Sequence, residues 1–342
     1  MKAIRIHEHG GADVLRVDEI DTPFCPEDKI LVNIKATSLN HLDIWVREGL
    51  PGLPIPLPLI MGSDGSGIIT EIGKDVEGFS INDHVVIQPG TFEKSCNAVK
   101  IGRENYSHTY GILGETSNGT QSEFILVDKE NIAPKATHLS FEEASSMQLV
   151  FMTSYQMLVE RAKLESTETV LVYGATSGIG SAAIQIAKDI GAKVITTVGS
   201  KDKQNYAHDM GADYVFIHDD KLIHNVKEVV RNKGVNVIFE HIGLKTWNKS
   251  LRMLSRGGRI VTCGSTTGSV VDIDLRHLFM KQQTILGSTM SNIASFNSVL
   301  SKIEDKKYKP FLDKVFSFKD IKSAHLRLEN RQQYGKIVVV PN

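Results

Sequence analysis

The stretch "TVLVYGATSGIGSAAIQIAKDIGAKV", residues 169–194, restricts the fold more than any other part of the chain. It reads as a buried strand, a turn of small residues, an apolar-faced helix closed by Gly191, and a second strand. Such a turn lets the backbone approach a pyrophosphate, and the helix that follows offers free N–H groups and the positive end of its dipole. Ala175, Ser177 and Gly180 stand in the three key places of a relaxed G-x-G-x-x-G, with Gly178 and Ile179 opening the helix. By itself such a turn can also be no more than tight packing of helix on strand. Four further runs follow, "DYVFIHD", "VNVIFEHIG", "GRIVTCG" and "TILGS", separated by helical stretches. This alternation predicts an α/β domain, a doubly wound parallel sheet covered by helices on both faces that binds a dinucleotide.

The tip of the second strand, "TTVGSKDK", indicates which dinucleotide. An acidic residue there would hold a ribose 2'-hydroxyl, as for NAD. Here Val198 and Gly199 are followed by Ser200, Lys201 and Lys203. A cation about 4 Å from a 2'-phosphate contributes up to roughly 4 kcal/mol before desolvation and entropy are counted, and a third of that is about tenfold in affinity. NADPH is the expected cofactor, with His218 adding a contact when protonated. The alternative is a solvated lysine loop in which Asp202 does the recognising. His241 and Gly243, and Gly264 with Ser265, lie at C-terminal strand ends, where doubly wound sheets bind ligands.

Residues 1–125 have a different texture, with short β-rich runs such as "KILVNIKATSL", "GIITEIG" and "DHVVIQPG" broken by glycine, proline and acidic turns. They predict a mostly antiparallel, barrel-like domain, completed by 291–342, beside a dinucleotide-binding domain over 126–290. The 342 residues exceed one ordinary core and suit two lobes with a cleft between them. With 23% charged residues and a formal net charge of -1, the chain matches neither a disordered segment nor an electrostatic nucleic-acid binder. Cys25, Cys96 and Cys263 are far apart, with no CxxC, which points to a reducing cytoplasm. The N-terminus alternates like a strand, unlike a signal peptide, and no run approaches the roughly 18 apolar residues of a membrane span.

Together, "MGSDGSGIITEIGKDVEGFSINDHVV", "YGATSGIGSAAIQIAKDIGAKV", "SLRMLSRGGRIVTCGSTTG" and "YGKIVVVP" make the chain similar, over essentially its whole length, to the medium-chain dehydrogenase/reductase superfamily. The resemblance implies a GroES-like catalytic domain and a Rossmann domain, with substrate and nicotinamide meeting between them. "GATSGIG" also looks like the short-chain dehydrogenase turn, but some 170 residues precede it and no Tyr-x-x-x-Lys follows. By family analogy His41 approaches the pyrophosphate, Thr153 lies behind the nicotinamide ring, and Lys336 reaches the cofactor phosphates. Lone residues of these types also occur as a packed-loop histidine or a solvated lysine.

Alcohol dehydrogenases of the superfamily hold a catalytic zinc through two cysteines and a histidine. The corresponding places here are Asn40, Ser63 and about Leu149. An amide, a hydroxyl and an aliphatic group do not make the nitrogen/thiolate site that zinc requires, so no metal is expected. The structural zinc lobe of relatives is represented by Glu93, Cys96, Val99 and Ser107, which supply one thiolate. The chain therefore resembles the zinc-independent quinone oxidoreductase and enoyl reductase branch, whose members often carry Asn-x-x-Asp where this chain has "NHLD". Electron-poor double bonds accept hydride with only a hydrogen bond to the developing enolate and a later proton. Asn40 is the candidate for that bond, Trp45 for stacking on a flat substrate, and Asp43 and Asp64 complete the catalytic set. Asp64 can also simply cap the "GSDGSG" turn, and Trp45 can be core.

The expected activity is NADPH-dependent reduction of quinones or enones in a homodimer or homotetramer. An enoyl-CoA or acryloyl-CoA reductase is the alternative enzyme, for which Arg47, Lys94, Lys100 and Arg103 are candidate phosphate contacts. A protein that binds NADPH without turnover is the alternative of another class.

Overall fold

The strand Ile30–Ser38 alternates apolar and polar residues at its centre, most of its side chains are buried, and other strands pair along both of its edges. Asp64–Ile72 pairs with it on one side, while Phe124–Val127 and Lys336–Val340 pair along the other. His84–Ile87 and Ile132–Pro134 extend the sheet beyond Asp64–Ile72, and Leu312–Ser317 lies outside Lys336–Val340. These seven strands are antiparallel except for the last pair. A smaller sheet joins Arg16–Glu19, Lys2–Ile6 and Leu59–Ile60.

The structure is a computed structural model describing residues 1–341. It divides into two units, Met1–Leu149 with the chain from Asn292 onward, and Val150–Ser291. The first boundary lies at 149, beyond the expected 125. Residues 126–149 stay with the first unit because Ile132–Pro134 pairs with His84–Ile87, and Ser66 Oγ and Ser38 Oγ donate to the carbonyls of Phe141 and Ser145 at 2.6 and 2.9 Å. The C-terminal chain is held by its strand, whose Ile337 and Val339 are buried with Ile4, Ile6, Leu39, Val46 and Met61. Each such fully buried aliphatic side chain contributes on the order of 1.5–3 kcal/mol.

The helix His41–Glu48 is fastened at its far end by Arg47, which is 1% exposed. Its Nε donates to Gly10 O at 3.0 Å, and its Nη1 meets Glu329 at 2.6 Å and His325 Nδ1 at 3.2 Å. Burial and the neighbouring guanidinium hold the His325 pKa down at about 3, so the ring is a neutral acceptor.

In the second unit six parallel strands run in the spatial order Tyr214–Ile217, Lys193–Val198, Thr169–Val172, Val235–Glu240, Leu254–Thr262, Thr284–Gly287. The expected doubly wound sheet is present, and its order reverses direction between Thr169–Val172 and Val235–Glu240, the switch point at which such sheets open a ligand crevice. Val170, Leu171, Val172, Val237, Ile238 and Phe239 are all 0% exposed, as the uninterrupted apolar runs require of strands covered on both faces.

The turn Met61–Ser63 is confined by Gly119, where a Cβ would stand 2.0 Å from Gly62 O and 2.6 Å from Met61 O. Gly119→Ala should therefore displace that turn and cost about 1–3 kcal/mol of stability. Urea unfolding of the variant beside the wild type measures it, and an unchanged midpoint would contradict this packing.

Candidate active site

Asn40 leaves the strand Ile30–Ser38 in extended conformation (φ -121°, ψ 160°) and caps the helix His41–Glu48. Its backbone N–H donates to Asp43 Oδ2 at 2.7 Å, so Asp43 closes the helix start. Asp43 is 1% exposed, and burial pushes its carboxyl up to about 7 against the opposing pull of the Asn40 N–H and the Lys336 charge. Gln121 Nε2 reaches Asp43 Oδ1 only at 3.5 Å.

The Asn40 side chain turns toward Asp64, the first residue of Asp64–Ile72. Asp64 is 0% exposed and is not a turn cap. Its Oδ2 accepts from Asn40 Nδ2 at 2.9 Å and Lys336 Nζ at 3.0 Å and lies 3.1 Å from Ser38 Oγ, whose single proton it shares with Ser145 O, while its Oδ1 accepts from the Leu149 N–H at 2.8 Å. Lys336 Nζ also donates to Leu39 O at 2.8 Å and Asn40 Oδ1 at 2.6 Å. Three N–H groups thus meet three acceptors, and no N–H of Lys336 remains for the cofactor phosphate contact expected from analogy. The lysine is not solvated, because the strand Lys336–Val340 delivers it into the sheet beside a buried carboxylate.

His41 and Trp45, one helical turn apart, pack edge-on with ring centroids 5.3 Å apart, and both are half-buried. Trp45 is therefore not fully core. Ser63 is 1% exposed, and its Oγ has no hydrogen-bond partner among the described residues.

In the second unit, Gly174 leaves the strand Thr169–Val172 at φ +66°. The Gly174 and Ala175 N–H groups donate to Thr197 Oγ1 at 3.1 Å and Thr197 O at 2.9 Å, which pins the turn to the neighbouring strand. Ser177 Oγ donates to Gly174 O at 2.7 Å and accepts from the Gly180 N–H at 3.0 Å. Gly180 must lack a side chain, since a Cβ would lie 2.2 Å from Gly174 O. The cap uses the third N–H of the helix Gly178–Ile190, leaving those of Gly178 and Ile179 without an intrahelical partner.

His241 Nε2 donates to Tyr173 O at 2.9 Å beneath this turn, and burial lowers its pKa, so the ring is neutral. The loops after two strands are joined where Thr267 N donates to Ile242 O at 2.8 Å and Leu244 N to Gly268 O at 3.2 Å, bringing Gly243 alongside Ser265. Gly264 accepts from Thr262 Oγ1 at 3.3 Å in the same loop. His218 packs its ring 5.6 Å from that of Tyr173. Ser200 precedes a short 3-10 turn, Lys201–Lys203, with Lys201 exposed and Lys203 half-buried. Thr153, 5% exposed, directs Oγ1 to Met290 Sδ at 3.8 Å.

One residue of this unit escaped the sequence reading. Glu240 is 0% exposed and accepts from the Ile242 and Gly243 N–H groups at 2.7 and 3.1 Å, from Thr246 Oγ1 at 3.0 Å and from Ser250 Oγ at 3.1 Å. It holds the His241–Gly243 turn, and a lone carboxylate inside the apolar run "VNVIFEHIG" was the available signal. Ser38 was overlooked for lack of any motif.

The zinc-binding dehydrogenase family matches residues 178–305, and the alcohol dehydrogenase GroES-like domain matches residues 26–137. The solved structure of an NAD-dependent alcohol dehydrogenase is similar with a TM-score of 0.96 and 37% identity, over 99% of this chain and 99% of that one. The chain belongs to the medium-chain dehydrogenase/reductase superfamily. Among curated relatives of this dehydrogenase/reductase, a crotonyl-CoA carboxylase/reductase of Cereibacter sphaeroides is 29% identical over 99% of this chain and 86% of its own length. A quinone oxidoreductase of Salmonella typhimurium is 28% identical over 99% of each. The protein is an oxidoreductase.

Zinc does not suit the residues present. Asn40 offers an amide whose oxygen already faces an ammonium, Ser63 a hydroxyl, and Leu149 a backbone donor, while Asp64 is neutralised by Lys336. In the lobe around Cys96, Ser107 Oγ pairs with Thr109 Oγ1 at 2.8 Å and Thr109 Oγ1 accepts from the Glu93 N–H at 3.2 Å, so that loop packs on its own side chains.

The raised Asp43 pKa makes stability depend on pH. Between about pH 4 and 7 the unfolded chain releases this proton while the folded chain keeps it, so stability falls as pH rises, by at most about 4 kcal/mol for a shift of roughly three units. Asp43→Asn should abolish that loss, gaining on the wild type from pH 5 to pH 8 in urea unfolding; parallel curves at both pH values would refute it.

Proposed function

We propose that the protein is an NADPH-dependent oxidoreductase that reduces quinones or carbon–carbon double bonds conjugated to a carbonyl, without a catalytic metal. The observation that carries this reading is the Asn40–Lys336–Asp64 cluster, which offers a hydrogen-bond donor where a Lewis acid would be needed for alcohol oxidation. An amide N–H is weak support for an alkoxide but well matched to an enolate or hydroquinone oxygen, because conjugation already spreads the charge.

Bound NADPH would supply the hydride. The N–H groups of Gly178 and Ile179 would meet its pyrophosphate, Ser200, Lys201 and Lys203 its 2'-phosphate, and His241, Gly243, Gly264, Ser265 and Thr153 its remaining face. Asn40 Nδ2 keeps one proton after serving Asp64, and that N–H would bind the substrate oxygen. His41 and Trp45 would flank a flat ring. Asp43, whose carboxyl burial pushes up to about 7, would be able to hold a proton beside Asn40. The same reading makes the protein a cytoplasmic homodimer or homotetramer acting on a small diffusible molecule.

The relative named crotonyl-CoA carboxylase/reductase favours a second reading, reduction of an enoyl thioester. Two of the cations weighed for CoA phosphates are committed elsewhere, since Arg47 is buried and Lys94 pairs with Glu130 at 2.9 Å. The relative named NAD-dependent alcohol dehydrogenase sets the competing outcome of the same test.

Cofactor oxidation should be measured with NADPH and NADH against 9,10-phenanthrenequinone, 2-cyclohexenone, crotonyl-CoA and an aldehyde. We expect turnover with NADPH and the first two, and faster aldehyde reduction with NADH would reverse the reading. Tight NADPH binding with no turnover would identify a non-catalytic binder. Lys201→Ala/Lys203→Ala should raise the KM for NADPH about tenfold and leave that for NADH nearly unchanged. Asn40→Ala should lower kcat by about 10- to 100-fold.

A further inference from the structure

We propose that Lys336 is a positioning residue which, with Asp64, sets the orientation and the hydrogen-bonding strength of the Asn40 amide. This rests on the reading of Asn40 as the donor to the substrate oxygen.

The two ends of the Asn40 amide face opposite charges. Lys336 Nζ lies 2.6 Å from Oδ1, and Asp64 Oδ2 lies 2.9 Å from Nδ2. Turning the amide over would bring its NH2 group against an ammonium and its oxygen against a carboxylate. Both contacts would then be repulsive, in a place where Asn40, Lys336 and Asp64 are 5, 4 and 0% exposed and water does little to screen them. The ion pair, acting together with the Asp43 N–H that faces the Asn40 side chain in the capping box, thus favours Nδ2, and not Oδ1, as the end with a group to spare. A charge-assisted bond at Oδ1 also draws electron density from the amide and makes the remaining N–H a stronger donor.

Stability alone does not account for such a pair. Desolvating both charges offsets most of their attraction, and replacing a buried pair by neutral groups of similar size is often neutral or stabilising. Changed to an amide, residue 64 would keep its oxygen on the Leu149 N–H and turn its NH2 toward Ser38 Oγ, so Asn40 Nδ2 would lose its acceptor there. What the neutral version loses is the directional field on Asn40.

The test compares wild type, Asn40→Ala and the double variant Asp64→Asn/Lys336→Met. Infrared difference spectra are recorded for 2-cyclohexenone, 13C-labelled at its carbonyl, bound with NADP+, a complex that does not turn over. A strong donor lowers the carbonyl stretching frequency. We expect the lowest frequency in the wild type, a return toward the free value in Asn40→Ala, and an intermediate value in the double variant, whose kcat falls about tenfold with KM changed less than threefold. A double variant with the wild-type frequency and kcat, beside an Asn40→Ala variant that shifts, overturns the role of Lys336 and leaves the function standing. An Asn40→Ala variant with no shift overturns the functional reading and this inference with it. Should the double variant fail to unfold cooperatively, Lys336→Arg replaces it. The retained charge should preserve the wild-type frequency and keep kcat within about threefold, and behaviour like Asn40→Ala would overturn the proposal.

Discussion

Asp64 and Lys336 are separated by 272 positions in the chain, yet their side chains meet at 3.0 Å with almost no access to water. Taking either charge out of solvent alone would cost several kcal/mol, so each requires the other in place. That demand couples the first residue of Asp64–Ile72, the first residue of Lys336–Val340 and the N-terminus of the helix His41–Glu48. The C-terminal strand is therefore part of the first unit's polar centre as well as of its sheet. Asn40 sits at the meeting point of these elements, and its capping bond to Asp43 brings a second buried carboxylate within the same cluster.

The second unit solves a comparable problem without a counter-ion. Glu240 is as buried as Asp64, but two backbone N–H groups and two hydroxyls satisfy it. It stands where the helix Leu244–Met253 begins, so the positive end of the helix dipole favours its charge. The result is a fixed His241–Gly243 turn beside the Ser177-capped helix, with His241 kept neutral under Gly174. Rigid backbone at the strand ends is what a dinucleotide site needs, since its phosphates are bound mainly by main-chain N–H groups.

Local pattern made much of this legible. The six parallel strands announced themselves as unbroken apolar runs, and the Ser177–Gly180 turn by small residues between a strand and a helix. The poor match of Asn40, Ser63 and Leu149 to zinc is a matter of residue types alone, because an amide, a hydroxyl and an isobutyl group cannot become thiolate and imidazole in any fold. Arg47 reads in the sequence as a candidate phosphate contact, since nothing local signals that Gly10, His325 and Glu329 converge on it. The boundary near 125 missed the point that residues 126–149 find their hydrogen-bond partners in strands that precede them.

What the sequence determined by itself was everything carried by periodicity and side-chain chemistry: two kinds of sheet, a tight turn of small residues between strand and helix, and a donor set unsuited to a transition metal. Only the tertiary structure decided what the ionisable groups do. Whether Lys336 is solvated, bound to phosphate or paired with Asp64 depends on which distant strand lies beside it, and whether Asp43 holds a proton near neutrality depends on how much water its surroundings exclude. Both are properties of a packed interior, which no stretch of neighbouring residues specifies.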